Sequence, residues 1–386
     1  MKAVTRMAQR KDSKKTRALL LVAACEVFAL CSMFLAVAAA ASGAPLVSGC
    51  PVFPADHIWN TRIDTLPADP MSDAYVATIG AEDRIHADFG SGIWDGGPIG
   101  IPFDVVDANQ PLVSVPFLYD DESDPGPYPI PANASIEGGD NADGDRHVLL
   151  VDKDACILYE LYRAFPVSGA GWEADSGAVY DLTGYELRDD GWTSADAAGL
   201  PILPGLVRYE EVAAGEIRHA LRFTAPQTRQ AYVWPARHFA SSLTDAAYPP
   251  MGQRFRLKRN VDISGFSAQA KVILQALKTY GMILADNGSR WFISGEPNEA
   301  WHNDVLHEMD VITGADFEAV NVSALMISPD SGKARQPEPL ADAVRILQLL
   351  AGAPNAEAPL MGDLDGDGLL GLAEAIFGLQ SAADLR

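Results

Sequence analysis

The chain has 386 residues, with 52 Asp and Glu against 29 Lys and Arg, for a net charge of −23. So acidic a surface repels nucleic-acid phosphates and anionic lipid, which excludes nucleic acid as a partner. The length suits two domains, or one large domain with appendages.

The N-terminus is basic, with Lys2, Arg6, Arg10, Lys11, Lys14, Lys15 and Arg17 against Asp12 alone. An apolar stretch, Ala18 to Ala41, and a run of small residues follow. That order predicts a signal peptide over 1–43 or, if uncleaved, an N-terminal anchor, and so a secreted or cell-surface protein. Of four cysteines, Cys25 and Cys31 belong to this segment. Cys50 and Cys156 remain, and an even pair in an exported chain reads as one disulfide.

Residues 44–327 read as one β-rich α+β domain of antiparallel sheets and long loops, because short β-type runs alternate with dense Pro/Gly punctuation. Strands are expected at Arg146–Asp152, Cys156–Tyr162, Ile217–Thr224, Ala231–Trp234 and Gln253–Lys258. Helices are expected at Ser72–Ile79 and Ser267–Tyr280, the latter with Ala270, Ile273, Leu274 and Leu277 on one face. All seven tryptophans fall between Trp59 and Trp301, several beside Gly, Asp or Asn, as loop platforms for sugar rings would.

A two-residue turn at Lys153-Asp154 would place His147 opposite Glu160 on one sheet face, a pairing that suits a general base. Asp145 and Asp196 are further carboxylate candidates for acid/base work, along with Glu137, Asp140 and Asp143. Arg222, Arg237, His238 and Trp234 are candidates for substrate binding, the arginines for acid groups on the substrate. His219 shares a strand face with Leu221 and Phe223 and reads as core. There is no Gly-x-Ser-x-Gly elbow, phosphate loop or dinucleotide fingerprint. The runs His57-Ile-Trp-Asn-Thr61, Gly144-Asp-Arg-His147, Gly191-Trp-Thr-Ser-Ala-Asp196 and Tyr232-Val-Trp-Pro-Ala-Arg-His238 resemble a family of secreted microbial proteins without a settled activity. That resemblance, over about 50–325, implies export and one large domain.

A proline-bearing stretch, 328–338, reads as a linker to a last module, 339–386. Leu340–Gln348 and Leu372–Gln380 align without gaps at an offset of 32 residues, a duplicated loop-helix unit. Before the second helix, Asp363, Asp365 and Asp367 stand at positions one, three and five of a loop that Glu374 closes at position twelve. With the Leu369 carbonyl they supply the oxygens a Ca²⁺ ion wants. The first copy has Ser331, Lys333, Arg335 and Gln336 at the matching positions and cannot hold calcium. Paired loop-helix repeats ending an exported chain resemble a dockerin module, and the resemblance implies a cohesin-like protein partner. Dockerins usually close the loop with Asp, so Glu374 follows the more general EF-hand form. The expected function is a secreted polysaccharide-acting enzyme, hydrolase or lyase. The alternative is a non-catalytic protein that binds glycan or matrix, with calcium serving structure.

Overall fold

Two apolar runs, Val148–Asp152 and Ile157–Tyr162, pair antiparallel and form the centre of the first sheet. The computed structural model describes residues 43–168, 171–353, 358–364 and 367–383. The expected export segment, apart from Gly43, and the loop position Asp365 lie outside the described residues. From Ala44 onward the chain is one compact unit. No helix among the described residues is long and apolar enough to cross a membrane.

Ten strands make up the two large sheets: β1 (His86–Asp88), β2 (Phe103–Val106), β3 (Val148–Asp152), β4 (Ile157–Tyr162), β5 (Ser176–Asp181), β6 (Leu221–Ala225), β7 (Arg254–Leu257), β8 (Met282–Asn287), β9 (Phe292–Ser294) and β10 (Phe317–Val320). The first sheet has the order β5-β4-β3-β2 and the second β10-β7-β8-β6-β9-β1. Both are mixed, which corrects the expectation of antiparallel sheets. β2 runs parallel to β3, β6 to β8, and β9 to β1.

The β3–β4 hairpin also corrects the expected register. Its loop has four residues, Lys153 to Cys156, because the Asp152 carboxylate accepts the Asp154 and Ala155 N–H groups and curls the chain on by one more step. Cys156 then turns at φ 55° and bonds to Cys50. Glu160 therefore faces Leu149, and Val151 faces Leu158. The slip is by two residues, so His147 and Glu160 keep the same sheet face but are no longer opposite one another. The disulfide spans 106 residues, and closures of that length stabilise by roughly 2–5 kcal/mol.

Every strand residue from Val148 to Val151 is buried because the first sheet is covered on both sides. Leu149, Val151 and Leu158 share a core with Leu221, Phe223 and Phe255 of the second sheet. Val148, Leu150 and Leu161 pack under the loop residues Val115, Tyr128, Ile130 and Ile136. Helix α1 spans Ser72–Ile79. Helix α2 (Ala268–Thr279) starts where the Ser267 hydroxyl accepts the Ala270 N–H, and it buries Ala270, Ile273, Leu274 and Leu277 as their spacing requires. The run Ala231–Trp234 forms only an isolated bridge, Tyr232 with Met251, not a strand. Trp59, Trp172, Trp291 and Trp301 are buried in the core, so most tryptophans pack rather than face solvent.

Residues 328–338, expected as a linker, are laid down on the main domain. Ile58 N–H donates to the Gly332 carbonyl at 2.8 Å, Gly332 N–H to Tyr185 at 2.7 Å, and Ala334 N–H to Asp56 at 2.8 Å. Helices α3 (Pro339–Leu350) and α4 (Leu372–Ala382) then pack through Ile346, Ala375, Phe377 and Met361. Gly378 permits the close approach, since a Cβ there would stand 2.6 Å from the Pro339 carbonyl. The Arg259 guanidinium lies 3.7 Å from the Phe377 ring centre, and Gly362 N–H donates to Thr65, so this pair of helices is docked on the main domain.

Candidate functional site

Where the two sheets meet, the core holds charge. Arg222 on β6 donates through Nε and Nη2 to the two oxygens of Asp196, each at 2.8 Å, and through Nη1 to the Ser294 hydroxyl at 2.7 Å. Its Nη2 also reaches Asp286 at 3.4 Å. The Asp196 side chain is 0% exposed and that of Arg222 6%, so this is a desolvated, bidentate pair. Ser194 shapes the turn that carries Asp196, its hydroxyl accepting the Asp196 N–H at 2.8 Å.

The same turn holds His147. Its Nε2 donates to the Ala195 carbonyl at 2.9 Å and its Nδ1 to the Glu137 carboxylate at 2.5 Å. Both ring nitrogens face acceptors, so the ring is an imidazolium. Burial opposes that charge, but the carboxylate and hydrogen bond of Glu137 overcome it and push His147 up to about 9. For Glu137, burial raises the pKa, yet the charge and hydrogen bond of His147 hold it below the ordinary value.

Glu160 is not bonded to His147. It is fully buried and accepts the backbone N–H groups of Ile202 and Leu203 at 2.9–3.0 Å. Burial pushes it up to about 7 against those bonds. The predicted His147–Glu160 base therefore gives way to a His147–Glu137 ion pair, with Glu160 serving a backbone turn.

Sequence reasoning did not single out Asp286, which lies at the C-terminal end of β8, beside the parallel strand β6. Its side chain is 22% exposed, as that of Glu137 is 26%. Burial, then the Asp196 charge, pushes Asp286 up to about 7, against Arg222 and His147. The only local signal was a carboxylate closing an apolar run, at the strand end where open α/β sheets bind ligands. Ser294 and Asp88, paired in register on β9 and β1, were likewise not singled out. Asp145 is exposed and close enough to act electrostatically on His147 and Asp286.

His238 runs alongside this cluster. Its own N–H and that of Arg237 donate to the Ala198 carbonyl, and Ala198 N–H donates to Ala285, the neighbour of Asp286. The His238 Nδ1 donates to the Ala197 carbonyl at 2.8 Å. Arg237 and Trp234 do not face this site. Arg237 gives its donors to the carbonyls of Arg188 and Pro329 and to Asp330, and Trp234 Nε1 donates to the Ser331 carbonyl, so both hold the 329–331 segment. Arg222 is likewise spent on internal partners. His219 is buried in the core, bonded to Glu211 at 3.0 Å.

In the C-terminal loop, Gly368 turns at φ 80° and its N–H donates to Asp363 at 2.7 Å. Leu369 N–H donates to Asp367 at 2.8 Å, and Glu374 accepts the N–H groups of Gly371 and Leu364. Among the described residues, which omit Asp365, no group of three or more metal-ligating side chains is gathered.

The raised pKa of His147 carries a pH signature. The stabilisation it brings is full below its unfolded value of 6.5 and is lost as pH rises through about 9. Glu160 and Asp286, raised to about 7, lose theirs over a lower window. Denaturant titrations should therefore show stability falling between pH ~7.5 and ~9.5 in the wild type, with that slope flattened in His147→Gln. The same slope in both proteins would contradict the assignment.

No family model, curated protein or solved structure matches the chain.

Proposed function

We propose that the protein is an exported glycoside hydrolase whose acid/base pair is Asp286 and Glu137, carrying a calcium-binding, dockerin-like module at its C-terminus. The observation that supports the reading is the placement of two carboxylates, 22% and 26% exposed, at the edge of one buried charge cluster. His147 is bonded to Glu137, and Arg222 reaches Asp286. Carboxylates in environments that pull their protonation apart are the equipment for acid-catalysed glycoside cleavage.

In this reading Asp286 enters the reaction protonated. It gives its proton to the glycosidic oxygen as the bond from the anomeric carbon to that oxygen breaks. Glu137 enters ionised and accepts a proton from the water that attacks the anomeric carbon, so water is added across the bond. Proton exchange with solvent restores both groups. His147 and Arg222 are positioning residues: the first keeps Glu137 ionised and aimed, and the second holds the Asp196 turn. Arg222 and Arg237, the cations expected to meet acid groups on a substrate, are both bonded to internal partners.

Reducing-sugar release from a panel of polysaccharides tests this. Asp286→Asn and Glu137→Gln should each lower kcat by roughly 10²–10⁴-fold. The alkaline limb of the wild-type pH profile should fall near pH 7, where Asp286 loses its proton. Full activity in both variants would defeat the assignment.

For the calcium module, the loop wrap at Gly368 and the carboxylate donor set suit a hard cation. Asp363, Asp365, Asp367, the Leu369 carbonyl and Glu374 would hold it, and its contribution is folding energy for α4. A cohesin-like partner would dock on the exposed apolar residues of α3 and α4, such as Leu340, Val344, Leu347, Leu372 and Ile376. Calorimetry on the mature chain should return one Ca²⁺, and Asp363→Asn with Glu374→Gln should abolish it. A stoichiometry of two, or no binding, would contradict the single live loop.

A further inference from the structure

One tryptophan is held where the hydrophobic effect alone would not leave it. Trp94 is 77% exposed and its neighbour Ile93 68%. They belong to a two-stranded hairpin in which Ile93 pairs with Pro98 and Trp94 with Gly97. The loop is Asp95-Gly96, with φ of 49° and 91°, the tight Asp-Gly turn that fixes a short hairpin. Its base is tied down as well. Asn303 Oδ1 accepts the Ser91 N–H at 2.9 Å, Asn303 Nδ2 donates to the Ser91 carbonyl at 3.1 Å, and Gly92 N–H donates to Glu299 at 3.3 Å.

The hairpin leans on the loop that carries Glu137. A Cβ at Gly97 would stand 2.1 Å from the Gly138 carbonyl, so this close approach needs glycine. Beside the hairpin runs a groove of about 510 Å³, lined by Pro98, Phe103 and the carboxylates of Asp140, Glu296 and Glu299. Every charged residue lining it is acidic.

We propose that Trp94 is the stacking platform of a subsite for a pyranose ring, on an uncharged or amino-bearing glycan that continues into the Glu137–Asp286 site. This rests on the glycan-hydrolase reading above and adds its substrate class. An indole face offers the apolar C–H face of a sugar a flat contact, while the Asn298 amide and the carboxylates of the neighbouring groove accept hydroxyl or ammonium hydrogens. A uronate or sulfated chain would meet Asp140, Glu296 and Glu299 as like charges on a protein of net charge −23. A rigid aromatic also costs little entropy to engage.

The test is affinity electrophoresis of the mature chain in gels holding hydroxyethyl cellulose, galactomannan, arabinoxylan, glycol chitosan or polygalacturonate. It is run in the Asp286→Asn background so that retention is read without cleavage. At least one of the first four polymers should retard the protein and polygalacturonate should not. Trp94→Ala should weaken that retention by roughly 3- to 10-fold, and Trp94→Phe should keep most of it. Equal retention in Trp94→Ala, retention by polygalacturonate alone, or no retention by any of the five overturns the proposal. If Trp94→Ala loses retention while the wild-type chain cleaves none of these polymers, the subsite stands and the hydrolase reading fails.

Discussion

The ion pair between Arg222 and Asp196 is the constraint from which the rest of the site follows. Two charges taken out of water are expensive, and a bidentate geometry with further hydrogen bonds is what makes them tolerable. Arg222 therefore fans its remaining donors to Ser294 and Asp286, and Asp196 sits in a turn that Ser194 shapes. Because Ala195 lies in that turn, its carbonyl is placed to hold His147, and His147 in turn holds Glu137. Order passes in this way from a core arginine to a half-exposed carboxylate.

Charge balance within this cluster assigns protonation states. Two buried cations, Arg222 and His147, are matched by two carboxylates, Asp196 and Glu137. Glu160 and Asp286 are left with burial and no cation of their own, so both are driven toward the protonated form. Glu160 is sealed from solvent and spends its oxygens on the Ile202 and Leu203 amides. Asp286 keeps 22% of its side chain exposed, so it is the protonated carboxyl that a substrate could reach. The inequality between Asp286 and Glu137 is thus built by packing rather than by any feature of the two residues themselves.

Much of the architecture was legible locally. The apolar face of α2 follows from spacing, as does the hairpin of β3 and β4. The register was not, because the Asp152 side chain lengthens the turn and the Cys50 bond pins its end, and neither effect shows in an alternation pattern. Since the slip was an even number of residues, the face shared by His147 and Glu160 survived while their pairing did not. Asp196 and Arg222 both stood out, yet they are 26 residues apart and nothing local links them. The parallel pairing of β6 with β8 is a long-range property, so Asp286 looked like the end of an apolar run. Trp94 was one of seven candidates, and only burial separates it from the tryptophans that fill the core.

The central claim is that the cluster sets Glu137 and Asp286 apart in protonation. Carbon-detected NMR titration of labelled carboxylates in the protein, assigned with Asp286→Asn and Glu137→Gln, reads this directly. The account predicts that Asp286 titrates near 7 and Glu137 below the ordinary 4.5 of a glutamate. Asp286 titrating near its ordinary 3.8, or the two groups titrating together, would contradict it.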